Sequence, residues 1–259
     1  MKPRSAVRFA LAALLLLPLV PLVPVRLASA APLKIFAMES APVSFSDNGH
    51  ATGLVVEVAR EVQRRAGSSD PIEIVPWARA YSMAGIEPNV VLLSIVRTAE
   101  RERTMRFVGP IFQTEMWGYA LRSRLDQLRA QDPGWHHVRA GGRRGSIFVS
   151  RAREQGYNVT EELNATDTAV RMLMAGRFDL WFESNEIVAG AMRQAGHPLE
   201  EVAPVTTLGT DMVYFAFSHG TPDSVVQTWD AALKAMKRDG SFQKLHQHWM
   251  PGHALPPPH

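Results

Sequence analysis

The 259-residue chain contains no cysteine. That excludes a disulfide framework, a thiolate nucleophile and a thiol for lipid attachment. A phosphate-binding loop is missing too, because Gly141-Gly142-Arg143-Arg144-Gly145 lacks both the lysine and the spacing of a P-loop. Histidine pairs at helical metal-ligand spacing are absent. His246 and His248 are two apart and so lie on different faces of a helix, and His136-His137 are adjacent. No metal and no cofactor is expected. Internal repeats, heptad runs and low-complexity linkers are also lacking, and beyond the N-terminus no apolar run approaches the ~20 residues of a spanning helix.

What the N-terminus holds is an address. Lys2, Arg4 and Arg8 precede an apolar run at residues 9–25, and Ala28-Ser29-Ala30 supplies the small-x-small pattern of a signal peptidase site. Pro18, Pro21 and Pro24 interrupt the run, which argues against a permanent membrane anchor. Residues 1–30 are therefore expected to be a cleaved signal peptide, and a bacterial periplasm is the expected location. The basic balance is largely local to this segment. Removing Lys2, Arg4, Arg8 and Arg26 from the formal +3 leaves the remaining chain near −1. A basic surface for nucleic acid or anionic membrane loses its support.

Strand and helix signals then alternate. Residues 33–38, 72–75 and 90–94 read as short buried strands, separated by an amphipathic helix at 54–66 stopped by Gly67 and a helix at 77–84 opened by Pro76. This βαβαβ rhythm predicts a mainly parallel sheet with helices on its faces, and ligands in such sheets sit beyond the carboxyl ends of the strands. A strand at 116–121 leads into a polar, turn-rich stretch from Arg122, where the chain is expected to cross to a second lobe. There follow a strand at 138–144, helices at 146–154 and 166–175, a strand at 178–183 and a helix at 186–195. A strand at 211–218 should return to the first lobe, followed by two terminal helices carrying Trp229, Met236, Phe242 and Trp249. The predicted division is residues 31–121 and 212–259 for lobe 1 and 122–211 for lobe 2, with a hinge near 122–128 and 206–211.

One turn carries the chemistry. Ser94-Ile95-Val96-Arg97-Thr98-Ala99-Glu100-Arg101 runs from an apolar strand into a Thr-x-Glu-Arg turn, and Phe107-Val108-Gly109-Pro110 follows. An arginine on a short turn after a buried strand is held rigidly, and its planar fork suits a carboxylate in bidentate geometry. The same letters also fit a solvated helix turn with local ion pairs.

The motif resembles that of periplasmic solute-binding proteins of family 3, which serve polar amino acids and read Thr-Pro-Glu-Arg and then Phe-Ser-x-Pro. Ala99 stands here where the proline is usual, and Val108 where the serine is. Further segments match in order: Pro42-Val43-Ser44-Phe45-Ser46-Asp47-Asn48-Gly49, Pro76-Trp77-Ala78-Arg79-Ala80-Tyr81, Gly145-Ser146, Gly176-Arg177-Phe178-Asp179 and Phe215-Ala216-Phe217-Ser218. The resemblance implies an α/β, two-lobed type II periplasmic binding protein fold, each lobe a mainly parallel sheet flanked by helices, with a two-strand hinge. It also implies that Arg101, supported by Ser94 and Thr98, grips a ligand α-carboxylate.

Ser146 caps a helix whose N-terminus favours an anion, and is open to a purely capping role. Arg97 either binds a second anionic group or pairs with Glu100 or Glu102. Trp77 is a ligand platform or a core residue. The family's usual aspartate for the amine is replaced by Ser184, so Glu183, one residue earlier, and Glu39, at the end of the first strand, are the alternative cation partners.

The implied function is capture of an amino acid-like small molecule by a monomer that delivers it to an inner-membrane ABC permease, without catalysis. Two other classes stay open: a sensory module reporting to a membrane receptor, and a periplasmic cyclohexadienyl dehydratase-like enzyme with Glu39 or Glu183 as general acid.

Overall fold

The computed structural model describes residues 31–257; the predicted signal peptide at 1–30 lies outside the described residues. From β1 (Lys34–Ala37) the chain makes a hairpin of β2 (Phe45–Asp47) and β3 (His50–Thr52), then α1 (Leu54–Ala66), β4 (Ile72–Ile74), α2 (Trp77–Ile86), β5 (Val90–Val96) and a one-turn helix α3 (Ala99–Glu102). The long strand β6 (Met105–Leu121) leads to α4 (Leu125–Gln131), β7 (Ala140–Arg143), α5 (Ile147–Glu154), β8 (Val159–Leu163), α6 (Thr166–Met174), β9 (Leu180–Ser184) and α7 (Asn185–Gln194). A second long strand, β10 (Val202–Ser218), returns, and α8 (Asp223–Asp239) and α9 (Ser241–Trp249) close the chain.

The large sheet runs β4-β1-β5-β10-β6-β9-β7-β8. Strands β4, β1 and β5 are parallel at one end, and β9, β7 and β8 are parallel at the other. Between them lies the antiparallel ribbon of β6 and β10. β10 pairs with β5 from Val213 onward and β6 pairs with β9 from Met116 onward, so over residues 113–115 and 210–212 the sheet narrows to two strands. On the outward strand, β6 is already paired with β9 from Met116.

Burial explains the strand sequences. β5 is apolar at nearly every position because both its faces are covered. Ile35, Leu93 and Phe215 face a core with α1 and α8, whereas the alternate residues Phe36, Leu92 and Ala216 face one with α2. Trp229 of α8 sits edge-on between Phe215 and Phe217 at 5.7 and 5.2 Å. In the second half, Leu180 and Phe182 face one core and Trp181 the other. α1 ends as its sequence predicts: Gly67 takes φ +72°, and the Ser68 N–H bonds back to Gln63 O at 2.9 Å.

Several elements differ from the sequence reading: β6 starts at Met105 and β10 at Val202, well before the expected 116 and 211. The polar stretch after Arg122 contains α4, whose Leu128 is buried in the second-half core. β8 is an additional strand at the sheet edge, where its Val-Thr-Glu-Glu-Leu sequence carries charge as exposed edges commonly do.

Candidate functional site

Arg101 is placed by two local devices and one tertiary one. The Thr98 hydroxyl accepts a hydrogen bond from the Arg101 N–H at 3.2 Å, capping α3 and fixing the turn directly after β5. The guanidinium folds back, its Nη1 donating to Val96 O at 2.9 Å. Trp77 and Tyr81, four apart on α2, stack at 5.0 Å, and the guanidinium carbon lies 5.5 and 5.4 Å from their ring centroids. Arg101 is only 7% exposed and pairs with no carboxylate among the described residues. Desolvation therefore pulls its pKa below the usual arginine value, with Tyr81 opposing.

This side chain lines a cavity at the carboxyl end of β5, between the two halves of the sheet. Its walls are mainly apolar, with Val43, Phe112, Phe148 and Ile187 among them. Of the residues singled out from sequence, the cavity brings together Arg101, Ser94, Trp77 and Ser146. Ser146 both caps and lines: its hydroxyl donates to Arg143 O at 2.6 Å and accepts from the Val149 N–H at 3.5 Å. Trp77 reaches across the cleft, its indole N–H donating to Gly145 O at 3.1 Å.

The remaining candidates stand elsewhere. Thr98 is the cap under Arg101 and not part of the wall. Arg97 is exposed, ion-paired with Glu102, and lies 5.9 Å from the ring centroids of both Phe107 and Tyr214. Glu39 is exposed and borders a neighbouring cavity, separated from the first by Met38, Trp77 and Arg143, which line both. Glu183 is 1% exposed and stands behind the wall. One of its oxygens accepts from Arg143 Nη2 at 3.0 Å and the other from the Ser184 N–H at 3.0 Å.

Arg143 and Glu186 were not singled out from sequence. Arg143 ends β7 two residues before Gly145-Ser146, at the carboxyl edge of the sheet where ligands of such folds bind, and that position was the available signal. Glu186, in the first turn of α7, accepts from the Thr114 hydroxyl at 2.9 Å, and its other oxygen has no partner among the described residues. Burial raises its pKa to about 7. Nothing local in the sequence marks it, since Thr114 lies 72 residues away.

Residues 33–252 match the model of the bacterial extracellular solute-binding proteins, family 3. The chain belongs to this family. Among relatives, the L-cystine-binding protein TcyA of Bacillus subtilis (strain 168) is 23% identical over 203 residues, which cover 78% of this chain and 74% of the relative. A histidine kinase sensor domain with similarity to periplasmic binding proteins superposes with a TM-score of 0.74 at 19% identity, covering 87% of this chain and 99% of that one. The ancestral amino acid-binding protein AncCDT-1, a precursor of cyclohexadienyl dehydratase, superposes at 0.70 with 20% identity, covering 84% and 95%. These structures share the fold: a two-lobed α/β periplasmic binding protein.

Proposed function

We propose that this family member captures a small carboxylate-bearing solute in the periplasm between its two lobes and hands it to an ABC importer in the inner membrane, acting by hinge closure as a monomer. The observation that carries the reading is Arg101: a buried guanidinium in the wall of an apolar cavity, held by Val96 O and two aromatic rings, with no carboxylate of its own. A buried charge left unpaired is costly, and an incoming carboxylate relieves that cost. Ser94 adds a hydroxyl, and from the opposite side the free N–H groups at the start of α5, the helix that Ser146 caps, favour an anion. The hinge is the two-strand ribbon at residues 113–115 and 210–212. Ligand contacts to both lobes would favour the closed state by their differential affinity. A thermal-shift screen of the mature protein against small carboxylates and amino acids tests this, since a ligand of the native state raises the melting temperature. A screen with no shift from any carboxylate would refute it.

Binding is preferred to catalysis on the same grounds. Of the acids considered for the dehydratase reading, Glu183 is tied up in an ion pair and Glu39 lies outside the cavity that Arg101 lines. Glu186 alone gives that reading a specific observation, as a buried carboxyl titrating near 7 one residue behind the wall. Turnover of prephenate above about 1 s⁻¹, the low end of typical enzymes, lost in Glu186→Gln, would make the protein an enzyme.

A further inference from the structure

Building on the reading of Arg101 as a carboxylate clamp, we infer that the preferred solute carries no α-ammonium: the site takes small monoanionic carboxylates with an apolar body and a neutral oxygen at the α-carbon, of the 2-hydroxy or 2-oxo acid class.

An α-ammonium is attached to the same carbon as the carboxylate, so it must share a compartment with Arg101. Stripped of water there, it needs an anionic partner. The cavity offers none, for its charged wall residues are Arg101 and Arg143, both positive. Glu183 is close in sequence to Ser184, which does line the cavity, but its carboxylate is spent on the Arg143 guanidinium and on the Ser184 N–H, both at 3.0 Å. Glu39 and Asp167 belong to the neighbouring cavity beyond Arg143. There Glu39 accepts from the Ser46 N–H at 3.1 Å and Asp167 pairs with Arg171 at 2.6 Å. Glu186 lies behind Thr114, whose hydroxyl it holds, and is not part of the wall. An amino acid would thus set its ammonium beside the Arg101 guanidinium with no carboxylate in the wall to pair it.

The positive assignment follows from the same inventory. Arg101, Arg143 and Glu183 together leave one positive charge, which a single carboxylate neutralises. Ser184 contributes a hydroxyl, a neutral group able to donate to or accept from a hydroxyl or keto oxygen, and Thr114, whose own proton is held by Glu186, contributes an oxygen that accepts from a ligand hydroxyl. The mainly apolar walls suit a carbon skeleton.

Calorimetry with matched pairs that differ only at the α-carbon tests this. The pairs are phenylalanine and 3-phenyllactate, leucine and 2-hydroxy-4-methylpentanoate, and valine and 2-hydroxy-3-methylbutanoate. In the pairs that bind, the hydroxy acid should be tighter by at least about tenfold, the equivalent of 1.4 kcal/mol. An amino acid binding as tightly as its hydroxy partner overturns the inference and leaves the carboxylate clamp standing. No binding by any probe removes the clamp and this inference with it. Ser184→Asp places a carboxylate in the wall and should move the preference toward the amino acid by at least about tenfold. If the variant melts as wild type does and the preference stays put, the missing acid is not what excludes ammonium. If the variant does not fold, the wild-type pairs decide alone.

Discussion

Replacing Arg101 with alanine deletes the guanidinium while leaving its supports in place: the Thr98 cap uses the residue's own N–H, which alanine retains. A carboxylate that has left water to enter this cavity then meets apolar walls and hydroxyls instead of a charged fork. Truncating one partner of a buried, hydrogen-bonded charge pair costs about 2 to 5 kcal/mol, or roughly 30- to several-thousand-fold in Kd. Folding stability should change far less. The wild-type protein bears the cost of burying an unpaired cation and regains part of it from the Val96 carbonyl and from cation–π contact with Trp77 and Tyr81. Alanine gives up both sides of that balance. The assay is titration calorimetry with the solute found by the thermal-shift screen, paired with scanning calorimetry of the free proteins. Lysine should restore little, because a point charge on a flexible stem replaces neither the fork nor its fit between the rings. Affinity of Arg101→Ala within about threefold of wild type, a difference worth well under 1 kcal/mol, would refute the clamp.

Three other outcomes are expected. Glu186 has a folded-state pKa near 7 against an ordinary 4.5, so its contribution favours folding below about 4.5 and is lost as pH rises to about 7. Urea melts at pH 5 and 7.5 should accordingly show a smaller loss of stability with rising pH in Glu186→Gln than in wild type, and identical slopes would remove Glu186 as their source. Trp77→Phe deletes the indole N–H bond to Gly145 across the cleft, about 0.5 to 1.5 kcal/mol net, and should shift the free protein toward a larger radius of gyration in small-angle scattering; an unchanged radius with and without the screened solute, in wild type and variant alike, would count against closure. Trp229→Ala empties the space between Phe215 and Phe217 and should cost about 3 to 5 kcal/mol in denaturant melts, while a loss under about 1 kcal/mol would mean that this core collapses around the gap.

Much of this protein is written locally. The period-3.6 patterns of α1 and α6 and the short apolar runs of β1, β5 and β9 are visible because each element buries faces that its own residues define. Thr98 and Ser146 are legible as caps because a cap bonds within its own turn. The sequence also held enough to place Arg101 at the carboxyl edge of the sheet. β6 was read only from Met116 because Gly109-Pro110 interrupts its apolar pattern, and β8 was missed because an edge strand need not be apolar. What only the tertiary structure decided are the pairings across long separations. Arg143 meets Glu183 forty residues on, Thr114 meets Glu186 seventy-two residues on, and the Trp77 indole meets Gly145 sixty-eight residues on. Whether a carboxylate is free to receive an ammonium, spent on a guanidinium or kept near neutral by burial depends on those neighbours and on the water they exclude, quantities that no local pattern encodes.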